Sequence, residues 1–118
     1  MKARQTAGAN DTVTMVATGT ITALRMVNAK GAHEAAHEAV GVALYDTANT
    51  KNISVGVAPI EVVESGGACT PGGGLETDGD GKVVDWAVSG VIVGYAIDEA
   101  VGSGEFIRML LTHGGNVA

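Results

Sequence analysis

Residues 33–37 come closer to a catalytic motif than any other segment. They read His-Glu-Ala-Ala-His, the zinc-peptidase pattern, in which two histidines one helical turn apart bind Zn²⁺ and Glu34 acts as general base. A catalytic zinc ion also needs a third protein ligand. The region where such a ligand is expected reads as strand, although it contains Glu61 and Glu64. We therefore expect a solvated, alanine-rich segment, and keep a small zinc metallopeptidase using this segment as an alternative.

Two other places could carry chemistry. Residues 78–81, Asp-Gly-Asp-Gly, begin like a calcium loop, but its later ligand positions hold Lys82, Val83 and Ser89, so the segment favours a turn. The single cysteine, Cys69, excludes an internal disulfide, and nothing around it in the sequence would lower its pKa. The sequence therefore predicts no catalytic residue, no cofactor and no metal site, and hence a protein that is not an enzyme.

The composition limits the classes of partner. The chain has 118 residues and a net charge of −6, and its seven Lys and Arg residues are not clustered, which argues against nucleic-acid binding. There is no long apolar run, basic amphipathic helix or signal-peptide pattern, so we expect no membrane contact. The apolar fraction is 46% with only four aromatic residues, which predicts a small core built from aliphatic side chains.

Hydrophobic periodicity predicts a mainly β fold. Period-two alternation begins at Thr12, and eighteen glycines mark many turns. The apolar run 88–97 is expected to be a strand buried on both faces, and 21–27 another strand. Only 32–39 has helical propensity, so at most one short helix is expected there. We predict a small β-barrel or β-sandwich built from hairpins.

The predicted domain organisation is simple. Residues 1–11 form an extended N-terminal arm, 12–113 a single β-rich domain, and 114–118 a short tail. Within the domain, 41–55 and 94–109 have similar patterns: a strand that begins with Gly, a turn, and a strand that alternates apolar and polar residues. The similarity predicts two equivalent hairpins.

Several segments together resemble one family. They are Gly-Val-Ala at 41–43, Gly-Gly-Ala-Cys-Thr-Pro-Gly-Gly-Gly-Leu-Glu-Thr-Asp at 66–78, Gly-Lys-Val-Val at 81–84, Val-Gly-Tyr-Ala-Ile-Asp-Glu-Ala at 93–100 and Gly-Glu-Phe-Ile-Arg-Met-Leu-Leu at 104–111. Their order and spacing resemble those of bacteriophage capsid cement, or head decoration, proteins.

The resemblance implies a β-rich protein that binds the outer capsid surface at junctions between major capsid subunits and stabilises the shell. It implies no reaction and no cofactor. The partners would be the phage major capsid protein and other copies of the chain, with a trimer favoured over a dimer. The protein would be made in the bacterial host cytoplasm and lie on the outer surface of the virion. Another phage structural β-module, such as a tail or baseplate adaptor, remains an alternative.

The residues expected to bind these partners come from the polar arm and the single tryptophan. Lys2 and Arg4 give the arm positive charge, and with Gln5 and Thr6 they suit strand addition to a capsid sheet edge. Trp86 could anchor an interface, although an ordinary core position fits it equally well.

Overall fold

The computed structural model describes residues 11–33, 39–88 and 90–112. Within these ranges the chain is all β, and no helix is long and apolar enough to cross a bilayer. Residues 34–38 of the predicted helical segment, residues 1–10 of the predicted arm and the predicted tail lie outside the described residues. The strands are β1 (Thr12–Val16), β2 (Met26–Val27), β3 (Gly41–Ala43), β4 (Asn52–Gly56), β5 (Ile60–Glu64), β6 (Gly74–Thr77), β7 (Val83–Asp85), β8 (Gly94–Ala96) and β9 (Phe106–Leu111).

The strands form two antiparallel sheets, which confirms the predicted fold class. The four-stranded sheet has the order β1-β4-β3-β2 and the five-stranded sheet the order β5-β9-β8-β6-β7. Among the described strands the two sheets do not close into a barrel. Both predicted hairpins are present, since β3 pairs with β4 and β8 pairs with β9.

Two aliphatic clusters fill the interior. Strand β9 shows why: its side chains alternate between exposed and fully buried along all six residues, so one face meets the core. The larger cluster lies against the five-stranded sheet and includes Leu75, Ile107 and Met109; the smaller lies against the four-stranded sheet and includes Ile21 and Ile53. Val57 packs against both clusters, so the two cores are in contact through it.

Backbone bonds and ion pairs hold the two sheets together along one seam. The amide of Glu64 donates to the carbonyl of Leu24 at 2.7 Å, and the amide of Met26 donates to the carbonyl of Gly81 at 2.7 Å. The Glu64 carboxylate lies 2.9 Å from the Arg25 guanidinium across the seam, and 3.9 Å from the ammonium of Lys82, which adjoins β7 of its own sheet. These contacts join segments that are far apart in sequence.

The predicted strand over 88–97 is wrong for most of its length, since only Gly94–Ala96 is strand. Val88 has a φ of 69° and is 75% exposed, which no buried strand allows. The indole N–H of Trp86 donates to the Gly90 carbonyl at 2.8 Å, and the Gly90 amide donates to the Glu76 carboxylate at 3.1 Å. These bonds fold the run into an irregular loop.

The predicted strand over 21–27 is also shorter than expected, because only Met26–Val27 is strand. Leu24 has a φ of 64°, a left-handed conformation that interrupts extended backbone. Its amide donates to the Ala43 carbonyl at 2.7 Å, so the turn at this point is fixed by the neighbouring strand.

Candidate interaction surface

His33, the first residue of the zinc-peptidase pattern, has a structural role. Its Nδ1 lies 2.7 Å from the Met26 carbonyl oxygen, and its Nε2 accepts a hydrogen bond from the Thr22 amide at 3.1 Å. This pairing fixes the tautomer with the hydrogen on Nδ1. Both ring nitrogens are thus engaged by the backbone, and a zinc ion would have to displace one of these bonds. Glu34 and His37 lie outside the described residues.

Gly81 makes room for the His33 ring. A Cβ added at Gly81 would lie 2.6 Å from Nδ1 of His33 and 2.7 Å from the Met26 carbonyl oxygen, closer than real contacts allow. Gly81 also has a φ of 81°, which favours glycine. The His33 ring, Gly81 and the Met26 carbonyl at the start of β2 therefore form one tightly packed junction beside the seam.

The Asp-Gly-Asp-Gly segment is a turn, as predicted. The Asp78 carboxylate accepts hydrogen bonds from the amides of Asp80 at 2.9 Å and Lys82 at 3.1 Å. One oxygen of the would-be calcium ligand is therefore bonded within its own turn. Across the described ranges, no three His, Cys, Asp or Glu side chains are grouped so that they could hold a metal ion.

Other carboxylates also bind the backbone of loops. Each accepts a hydrogen bond from an amide that a strand ladder does not use. They are Asp46 for Ala23, Glu61 for Ala58, Asp85 for Thr70, and Glu105 for Val101 and Gly102. The acidic composition is thus partly explained by loop capping.

Cys69 and Ser65, the two buried candidate nucleophiles, are held in the core. Burial and, to a smaller extent, the nearby carboxylates of Asp85 and Glu105 raise the pKa of the Cys69 thiol to about 11. The Ser65 hydroxyl donates to the Gly102 carbonyl at 2.7 Å and accepts from the Glu105 amide at 3.1 Å. Neither group is activated for attack on a substrate.

The predicted partner-binding residues fall into two places. Lys2, Arg4, Gln5 and Thr6 lie outside the described residues. Trp86 is half-buried, with its indole N–H bonded within its own loop, so it is neither a fully buried core residue nor a fully exposed anchor. Its contact with a partner stays a prediction.

Strand β1, which begins just after the predicted arm, lies at the edge of the four-stranded sheet. Among the described strands it pairs with β4 alone. Four of its five residues are exposed, and it contains neither a charge nor a proline. Proteins usually protect edge strands with such residues, so β1 is suited to pairing with another strand.

A second exposed surface lies on the five-stranded sheet, and sequence reasoning missed it. The strand register places Ile60 opposite Leu110, Leu110 opposite Tyr95, and Val62 beside them on the same face. Phe106 follows on β9 with the same orientation. We call this surface the β5–β9–β8 face. Its five apolar side chains are each 40–59% exposed.

The neighbouring part of the same sheet is covered by the chain itself. Gly74 is paired with Tyr95 and therefore shares its face, and a Cβ at Gly74 would lie 3.1 Å from the Ile92 side chain. The loop that contains Ile92 thus crosses β6, and the bond from Gly90 to Glu76 fastens it there. Among the described strands of this sheet, the exposed large apolar side chains therefore lie on β5, β9 and β8.

Two charged residues of the described strands share the β5–β9–β8 face, and both are paired. Glu64, which lies opposite Phe106, is bonded to Arg25 as described above. Arg108 lies between Phe106 and Leu110 on β9, and its guanidinium binds both carboxylate oxygens of Asp98, at 2.8 and 2.9 Å. The Asp98 carboxylate also accepts from the Arg108 amide at 2.9 Å. These bonds lower the pKa of Asp98 to about 2 and raise that of Arg108.

One solved structure is similar over almost the whole chain. It is the crystal structure of the N base of the head fiber gp8.5 of bacteriophage phi29, with a TM-score of 0.69 and 22% sequence identity. The alignment covers 86% of this chain and 92% of that one, so the two share a fold. No protein-family model matches this chain, and comparison with curated proteins finds no match.

Proposed function

We propose that this chain is a structural protein of a bacteriophage head, which binds the outer surface of the capsid and stabilises the shell as a decoration, or cement, protein. The observation that carries the proposal is the shared fold with the base of a phage head fiber, over 92% of that chain. The resemblance of residues 41–111 to cement proteins points to the same class independently.

Such a protein works by binding and needs no reaction. A molecule that binds the assembled shell and not its separated subunits stabilises the shell through mass action. Many copies around one particle, each bound weakly, resist the loss of any single subunit. The buried serine, cysteine and half-buried histidine described above hold the fold together, which supports a role in adhesion over one in catalysis.

The proposed capsid contact is the N-terminal arm. Residues 1–11 lead directly into β1, the exposed edge strand, and Lys2 and Arg4 bring positive charge to a chain with net charge −6. An extended segment at this position can add a strand to a sheet edge of the major capsid protein, with backbone hydrogen bonds providing the affinity. Trp86 is the proposed second contact.

Deleting residues 1–10 tests this role of the arm. The shortened protein is expected to keep its circular dichroism spectrum, because both described sheets begin after residue 11. It is expected to lose co-sedimentation with purified heads of the phage that encodes it. Deletion of residues 114–118 is the matched control and should leave binding unchanged. Undiminished binding of the arm deletion would refute the role of the arm.

The location in the virion tests the function as a whole. Mass spectrometry of separated heads and tails should find this chain with the heads, at a copy number that approaches that of the shell subunit. Recovery with the tails alone would contradict the proposal and favour a tail or baseplate adaptor.

A further inference from the structure

We infer that the β5–β9–β8 face is the surface through which copies of this chain pack against one another. The inference rests on the self-association expected of the proposed function, and names its location. It is tested on the purified protein without capsids, so its failure can be told apart from failure of capsid binding.

The residue types on this face are those of an interface. The chain has four aromatic residues, and the face holds its single phenylalanine and one of its two tyrosines. Across the described ranges, none of the buried core side chains is aromatic. Large aromatic side chains contribute most when they are desolvated, and they often anchor protein interfaces. Phe106 is nevertheless 59% exposed.

The size of the face also fits a contact between chains. Five side chains that are about half exposed present on the order of 400 Å² of surface, a patch size that is often functional in monomers. A standard interface buries roughly 800 Å² per partner, with an apolar centre and a polar rim. The face therefore supplies the centre, and the surrounding polar residues of the sheet supply the rim.

The charges on this face allow a second copy to occupy it. Two copies with a net charge of −6 each repel over most of their surfaces. On this face Arg108 is already paired with Asp98 in a bidentate contact, and Glu64 is paired with Arg25. Two copies can therefore meet there without opposing unpaired like charges. The faces of antiparallel sheets pack about 10 Å apart, which would bring the two sets of apolar side chains together.

Replacing two anchors tests the inference. The double variant Phe106→Ser, Leu110→Ser should raise the dissociation constant for self-association by on the order of a hundredfold, measured by analytical ultracentrifugation at rising concentration. Both side chains are exposed in the single chain, so its circular dichroism spectrum should be unchanged. Tyr45→Ser, which removes a 67% exposed aromatic side chain beside the other sheet, should leave self-association unchanged.

The inference would be overturned by a wild-type protein that is a single chain at every concentration, by a double variant that still associates, or by an equal loss of self-association in Tyr45→Ser. A cross-linking experiment does not depend on the double variant folding. Leu110→Cys should give linked pairs with a short bismaleimide, whereas Tyr45→Cys should not, and Cys69 is buried. Association without linked pairs of Leu110→Cys would equally refute it. Protein that associates through this face yet does not bind heads would support it and contradict the capsid role.

Discussion

Single residues show how an acidic chain of this size is held together. Carboxylates bind amides in the loops, as Asp78 and Glu61 do, and Glu64 joins the two sheets through its ion pair with Arg25. In the described residues, no buried side-chain nitrogen or oxygen lacks a hydrogen-bond partner. Each such group would otherwise cost about 1–3 kcal/mol. Removal of individual polar side chains should therefore destabilise the fold.

The burial of Cys69 predicts a slow reaction with thiol reagents. Because its pKa is about 11, only roughly one thiol in ten thousand is ionised at neutral pH, and the thiolate is the reactive form. Maleimide should label the native protein far more slowly than the urea-unfolded protein, as followed by mass spectrometry. Leu110→Cys provides an exposed thiol for comparison and should gain one label quickly. Rapid modification of Cys69 in native buffer would show that the site opens.

The two hydrogen bonds of His33 predict a loss of stability in His33→Ala. The substitution leaves the Met26 carbonyl and the Thr22 amide without their imidazole partner, and should lower the free energy of unfolding by about 2 kcal/mol. Urea denaturation followed by circular dichroism measures the change. Tyr45→Ala, at an exposed position, should stay within about 0.5 kcal/mol of the wild type. Unchanged stability with loss of a stoichiometric zinc ion would instead favour a metallopeptidase.

Among the elements, the β8–β9 hairpin makes the stability of the fold depend on pH. The pKa of Asp98 is about 2 in the folded protein and 3.8 in the absence of its contacts, so the folded state favours the ionised form. Its stabilising contribution is present above pH 3.8 and is lost as the pH falls towards 2. Asp98→Asn should be less stable than wild type near neutral pH, and the difference should disappear near pH 2.

Urea denaturation at the two pH values measures this effect. Asp80→Asn, which removes an exposed carboxylate from a turn, is the matched control and should differ little from wild type at either pH. A difference between Asp98→Asn and wild type that persists unchanged at low pH would contradict ion pairing as the source of the stability.

The elements also show which parts of the fold follow from local sequence. Strand β9 has strict alternation of buried and exposed residues, and β3 and β4 are bounded by turn residues, so their pattern predicts them. The run 88–97 is apolar apart from Ser89 and its glycines and has no period, so its shape depends on distant partners. The bonds of Trp86 and Glu76 to Gly90 decide that shape, and no local pattern encodes them.

The candidate site was likewise predictable only where its contacts are between residues close in sequence. The turn at Asp78 and the absence of activation at Cys69 follow from neighbouring residues. The contacts of His33 with Met26 and Thr22 depend on the tertiary fold. The β5–β9–β8 face did leave a signal, because Phe106 and Leu110 occupy the positions of β9 where a half-buried strand normally carries polar residues.

At the scale of the whole molecule, the arm and the β5–β9–β8 face use different sheets. The arm precedes β1 in the four-stranded sheet, whereas the β5–β9–β8 face belongs to the five-stranded sheet. One copy can therefore bind the capsid through the arm beside one sheet and a second copy through a face of the other, provided that the sheets stay fixed relative to each other. The bonds at the seam, from Leu24 to Glu64 and from Met26 to Gly81, maintain that relation.

The junction at Gly81 limits the substitutions that this sequence can accept. Any side chain there would collide with the His33 ring and would also have to adopt a left-handed backbone. A smaller residue at position 33 would relieve only the collision with the ring, because the added Cβ would still lie 2.7 Å from the Met26 carbonyl oxygen. It would also remove both imidazole hydrogen bonds and leave the backbone penalty in place. No single second-site change can rescue a substitution at Gly81, and in a saturation library this position should tolerate almost nothing.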